Sequence, residues 1–201
     1  MGIGILNTLK DIVSGLKFFG KEITKEEIRK WVREGIEETL ADDPINGTIP
    51  VDVFLDDYLP KEVIEDALID ESSLAVLRKN NPGATKEDLI GGGCGFKNED
   101  ITKSLEIRIP IHRMWKAAKR HSAFAKYLAK GVGKHEALHA LQFQYLKKKG
   151  GDEALRKVHW CMNFTPYFSR PTELTAYAFQ YLGVKKEFSK YLDQYLPSSK
   201  K

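Results

Sequence analysis

Two cysteines in 201 residues, Cys94 and Cys161, are too few for a disulfide framework. Isolated thiols suit a reducing compartment. No run approaches the roughly 20 consecutive apolar residues that a bilayer-spanning helix needs, which excludes a transmembrane reading. The first residues, MGIGILNTLKDIVSGLKFF, have no basic leader segment, and Asn7, Lys10 and Asp11 interrupt the apolar run that a signal peptide would show. Together these absences lead us to expect a cytoplasmic protein. Charge of one sign is scarce as well: 32 basic residues against 28 acidic ones leave +4, too little to argue for nucleic acid as a partner. There is no internal repeat, no linker and no low-complexity segment beyond the terminal lysines. What remains is an ordinary globular balance, 42% hydrophobic and 30% charged, on a chain long enough to bury a sizeable core.

Ile5, Leu6, Leu9, Ile12, Val13, Leu16 and Phe19 follow helical spacing, with Lys10, Asp11 and Lys17 off the stripe. Such a face suits a helix docked on this core or on a partner subunit, or one lying on a membrane surface. Thr24 followed by Glu27 forms a capping box ahead of the apolar face Ile28, Trp31, Val32, Ile36 and Leu40, so residues 1–45 read as an N-terminal helical arm. TIPVDVFLD (48–56) alternates and predicts a strand with Ile49, Val51, Val53 and Leu55 on one side. Residues 60–79 return to helical spacing, and GGGCG (91–95) reads as loop. SLEIRIPI (104–111) is the clearest strand, and helices are predicted over about 113–129, 133–148, 152–162, 172–182 and 185–195. Strands first and helices last give an α+β class, with residues 46–201 as one domain.

Residues 135–139, His-Glu-Ala-Leu-His, carry the chemistry. Four residues apart on a helix, His135 and His139 share a face and can hold one metal ion through their imidazoles. Glu136 borders the same place and can take a proton from water activated there. With 5 His and 16 Glu in the chain, H-E-x-x-H is expected by chance only about 0.01 times, and this one falls in an apolar-periodic segment.

A catalytic zinc site usually has a third protein ligand. LQFQYLKKKGG after His139 has no histidine, so the ligand must lie further on, among Asp152, Glu153, Glu173, Glu187 and Asp193. Asp152 and Glu153 suit the first turn of a helix, where a carboxylate complements the dipole. Glu173 opens the helix RPTELTAYAFQYL, and the small Ala176 three residues on would let that helix come close to the histidines. It is the expected third ligand, with a dipole-serving carboxylate as the alternative.

HEALH together with E-L-T-A-Y-A-F resembles the gluzincin branch of the zincin metallopeptidases. The second helix is similar to the third-ligand helix of the anthrax lethal factor type of zincin domain and, more loosely, to that of ImmA/IrrE-type peptidases. The likeness spans about residues 100–185. It implies a small zincin-like domain with a few-stranded mixed sheet and a helical C-terminal part. It also implies Zn2+ on His135, His139 and Glu173, an oxyanion role for Tyr167, and an edge strand, here SLEIRIPI, that holds extended substrate. Tyr177 and His159 are alternatives to Tyr167. Cys94 has the residue type of a latency cysteine but equally suits a small position in a glycine loop.

The chain thus reads as a zinc metallopeptidase acting on a peptide or protein, with Glu136 as general base. Two other classes stay open: a zincin-fold binding or regulatory module of toxin or viral type that does not hydrolyse, and a membrane-surface protein led by residues 1–19.

Overall fold

A computed structural model describes residues 9, 12–14, 16, 18, 20–41, 43, 45–66, 71–86, 92–120, 122–164, 171–182 and 192–197. The elements in order are α1 (Lys25–Leu40), β1 (Val51–Phe54), α2 (Lys61–Asp66), α3 (Glu71–Asn80), β2 (Gly93–Phe96), β3 (Leu105–Arg108), α4 (Ile111–Arg120), α5 (Ala125–Phe164) and α6 (Pro171–Leu182). The class is α+β, as expected.

The centre of the molecule is α5. From Ala129 to Leu146 nearly every residue is buried, and Ala137, Leu138, Ala140, Leu141 and Leu146 have no exposed surface. A helix covered on all sides needs neighbours all round. They are α1, α6, α4 and the sheet. The break expected between 129 and 133 is absent, because Gly131 and Gly133 sit inside the helix to let neighbouring helices approach. A Cβ on Gly133 would lie 2.2 Å from the Val32 carbonyl oxygen of α1, and one on Gly35 of α1 would lie 2.2 Å from the Lys130 carbonyl oxygen. The two helices therefore touch backbone to backbone. The break expected near 150 is a kink at Gly151, whose φ of 62° suits glycine.

Helix α1 starts with the capping box: the Thr24 side chain accepts from the Glu27 N–H, and the Glu27 carboxylate accepts from the Thr24 N–H. Ile28, Trp31, Val32 and Ile36, assigned by sequence to the arm, lie in the same buried cluster as Leu138 and Leu141 of α5. Of the segment before it, Leu9, Val13 and Leu16 are exposed, whereas Phe18 meets Trp31 edge-on at 4.9 Å between ring centroids.

The sheet has the order β1-β3-β2, with β1 parallel and β2 antiparallel to β3. This corrects two expectations. GGGCG is not all loop: Gly93–Phe96 pairs with Leu105–Arg108, because β3 offers a ladder that compensates for glycine's poor strand propensity. And β3 is central, so SLEIRIPI has no free edge on which to hold substrate. Alternation reports which face is buried, here Leu105 and Ile107 at 0% exposure, and is silent about edges. The strand also stops at Arg108, and Ile111 already begins α4. In the edge strand β1, Val53 is exposed, contrary to its place in the alternation, while Ile49 is buried where its N–H donates to Gln144 of α5.

Asp57, in the loop after β1, pairs with both Lys25 and Arg29 of α1. The Lys25 hydrogen bond, opposed by burial and aided by both cations, holds the Asp57 carboxyl below its ordinary 3.8. A lowered folded pKa contributes stability above the unfolded value that is lost as pH falls through the folded one. Asp57→Asn should therefore be less stable than wild type in thermal unfolding near neutral pH, with the gap closing as pH falls below the ordinary 3.8. A gap independent of pH would show that the pair contributes nothing through its charge.

Candidate metal centre

His135 and His139 are one turn apart on the part of α5 that faces α6. The contacts between these helices set an antiparallel register: Thr172 beside Gln142, Glu173 beside His139 and His135, Tyr177 beside His135, and Gln180 beside Gly131. Glu173, Ala176, Tyr177 and Gln180 follow helical spacing, so α6 turns one face to the histidines. Ala176 is fully buried, as a close approach requires.

The outcome is a buried group of three. His135 Nε2 and His139 Nε2 are 3.1 Å apart, and Glu173 Oε2 lies 3.3 Å from the first and 3.4 Å from the second. The three residues are 4%, 6% and 4% exposed. One ligand atom from each lies within 4.8 Å of the others, close enough to bind one metal ion. Around an ion with ligand bonds of about 2.0–2.1 Å, tetrahedral geometry separates the donor atoms by about 3.3–3.4 Å. The observed edges fit that triangle. Two imidazole nitrogens and a carboxylate this close must share a proton or a cation. Burial works against a proton on His139, but the Glu173 hydrogen bond and charge outweigh it and raise the His139 pKa. A metal ion would satisfy the same demand. His135 Nδ1 is buried with no hydrogen-bond partner among the described residues. His139 Nδ1 lies 2.8 Å from Gln142 Oε1, and Gln142 Nε2 donates to the Thr172 carbonyl at 3.0 Å.

Glu136, 7% exposed, has its charge felt by His135, His139 and Glu173 and is buried with its Oε1 close to Gly92, at the start of β2. Gly92 makes that possible: with φ of +149°, a Cβ there would meet the Arg108 carbonyl and the Ile109 side chain at 3.2 Å, and Glu136 Oε1 at 3.4 Å. Burial raises the Glu136 pKa, offset by the two histidines and reinforced by Glu173. Burial and the Glu136 charge also push the Cys94 thiol well up, and a thiol that keeps its proton is a poor metal cap. Cys94 is not among the three converging groups.

Of the oxyanion candidates, Tyr167 lies outside the described residues, as does the side chain of His159. Tyr177 meets the His135 ring edge-on at 4.6 Å. A mostly apolar cavity of about 230 Å³ opens between α4, α5 and α6, bounded by Met114, Ala118, Leu128, Ala129, Val132 and Gln180. Val132 is one turn before His135, and Gln180 one turn after Tyr177, so the cavity continues the face that carries the three converging groups. Gln142 and Gly92 escaped sequence reading. Gln142 had a signal, a polar residue about one helical turn after His139 and so on the same face.

No family model, no curated protein and no solved structure matches the chain. Among the described residues no helix is long and apolar enough to cross a membrane.

Proposed function

We propose that the chain is a zinc-dependent peptidase. The supporting observation is the buried triangle of His135, His139 and Glu173, flanked by a buried carboxylate, Glu136, that is not part of the triangle and has no ion pair among the described residues. Two histidines and a carboxylate also suit iron, but a neighbouring carboxylate with a raised pKa is what hydrolysis calls for. Zinc held there would lower the pKa of a water to about 7 and polarise a carbonyl.

The chain's own residues do the rest. Glu136 Oε accepts a proton from the attacking water and returns it to the leaving amine, a transfer for which a carboxyl above its ordinary pKa is suited. Tyr177, whose ring meets that of His135, would donate to the oxyanion; Tyr167 has that role only through the resemblance. Substrate binds extended along the outer edge of β2, beside Glu136, where main-chain groups recognise any peptide. Side chains on Gly93 and Gly95 would meet nothing within 4 Å, so their absence leaves the surface open. The cavity ahead of His135 accepts an apolar side chain next to the scissile bond.

Comparing two carboxylates tests the ligand set. Glu173→Ala should lose zinc by more than the about 10–100-fold that outer partners contribute, whereas exposed Glu153, replaced by Ala, should keep it. Equal retention in both variants would remove Glu173 from the site.

A further inference from the structure

We infer that Gln142 is a positioning residue that sets the tautomer of His139 and ties the third-ligand helix to it. The inference rests on the metal reading and assigns this site a part that the motif does not contain. The logic begins at Thr172, whose carbonyl oxygen can only accept. The Gln142 group 3.0 Å from it must therefore be the amide NH2, which turns Oε1 toward His139 Nδ1 at 2.8 Å. That oxygen in turn can only accept, so Nδ1 carries the proton and Nε2 offers its lone pair toward His135 and Glu173. The other tautomer would set two acceptors against each other in a site where Gln142 is 1% exposed and water cannot relieve them.

The same amide spans both helices. Gln142 follows His139 by three residues on α5, and Thr172 directly precedes Glu173 on α6. One side chain therefore fixes the donor atom of one ligand and the approach of the residue beside another. Outer contacts of this kind orient ligands before the ion arrives. His135 has no equivalent among the described residues, so preorganisation rests on the His139 side.

The test measures zinc affinity by chelator competition for wild type, Gln142→Leu and Gln142→Glu. Gln142→Leu removes both contacts and should weaken binding about 10–100-fold. Gln142→Glu keeps an acceptor for Nδ1 and loses only the donor to Thr172, so it should stay within about tenfold of wild type. A Gln142→Leu affinity within about threefold of wild type, or a Gln142→Glu loss equal to that of Gln142→Leu, would overturn the inference. A merely structural role would lower the stability of the metal-free variants and leave affinity unchanged. A second measurement needs no variant: nitrogen NMR of the zinc-loaded wild type should find the His139 proton on Nδ1 in slow exchange, and a proton on Nε2 contradicts it. Wild type that takes up no zinc overturns the metal reading itself; wild type that binds while Gln142→Leu binds equally overturns the Gln142 role alone.

Discussion

Glu136→Gln is expected to abolish peptide hydrolysis, a loss of about 10²–10⁴ in rate, while fold and metal content stay as in wild type. The amide has nearly the shape of the carboxylate, so it fits the same buried space between α5 and Gly92. It cannot accept the proton of the attacking water, so the general-base contribution disappears. Metal affinity should hardly change, since the converging donors are His135, His139 and Glu173. His139→Ala provides the contrast, because it should lose activity and metal together, and with the metal whatever stability binding adds. A denatured protein mixture serves as substrate for both variants. Cleavage by Glu136→Gln at the wild-type rate would assign the activity elsewhere, and no cleavage by wild type would favour a binding module on the same fold.

Gly133→Ala should destabilise the protein by about 3 kcal/mol or more, equivalent to a fall in Tm of about 6–12 °C. In a solvent-exposed helix the same change would gain about 1 kcal/mol from intrinsic propensity, so its sign here is diagnostic. The new methyl would lie 2.2 Å from the Val32 carbonyl oxygen, 3.1 Å from the carbonyl carbon and 3.2 Å from the Ile36 nitrogen. These are backbone atoms of α1, which cannot swing aside as a side chain does. The helices must separate, and the contacts of Val32 and Ile36 go with them. Gly133 precedes His135 by two residues, so metal binding should weaken too. Gly133→Ala as stable as wild type in urea would contradict the close crossing.

Sequence and structure agree best where a local rule determines the answer. Thr24 and Glu27 form the expected cap because capping needs only four consecutive residues. His135 and His139 face one site because four residues make one helical turn. Glu173 could be chosen among five carboxylates because small Ala176 marked the face of α6 that approaches another helix. What stayed hidden depends on partners remote in sequence. β2 is built from glycines with no strand pattern of their own, and β3 supplies the order. Gly131 and Gly133 resemble a helix break until α1 and α6 are seen to occupy the space. The central place of β3 follows from strands lying about 50 and about 10 residues before it, which its own alternation does not encode. Gln142 gains its meaning only from the carbonyl of Thr172, 30 residues away.

Elemental analysis of the purified chain, produced with zinc and iron both available and no chelator, decides whether the buried triangle is a zinc site. Wild type should carry zinc in equal molar amount to protein, and His139→Ala should carry almost none while remaining folded. Iron in place of zinc, no transition metal at all, or the same zinc content in both proteins would contradict it.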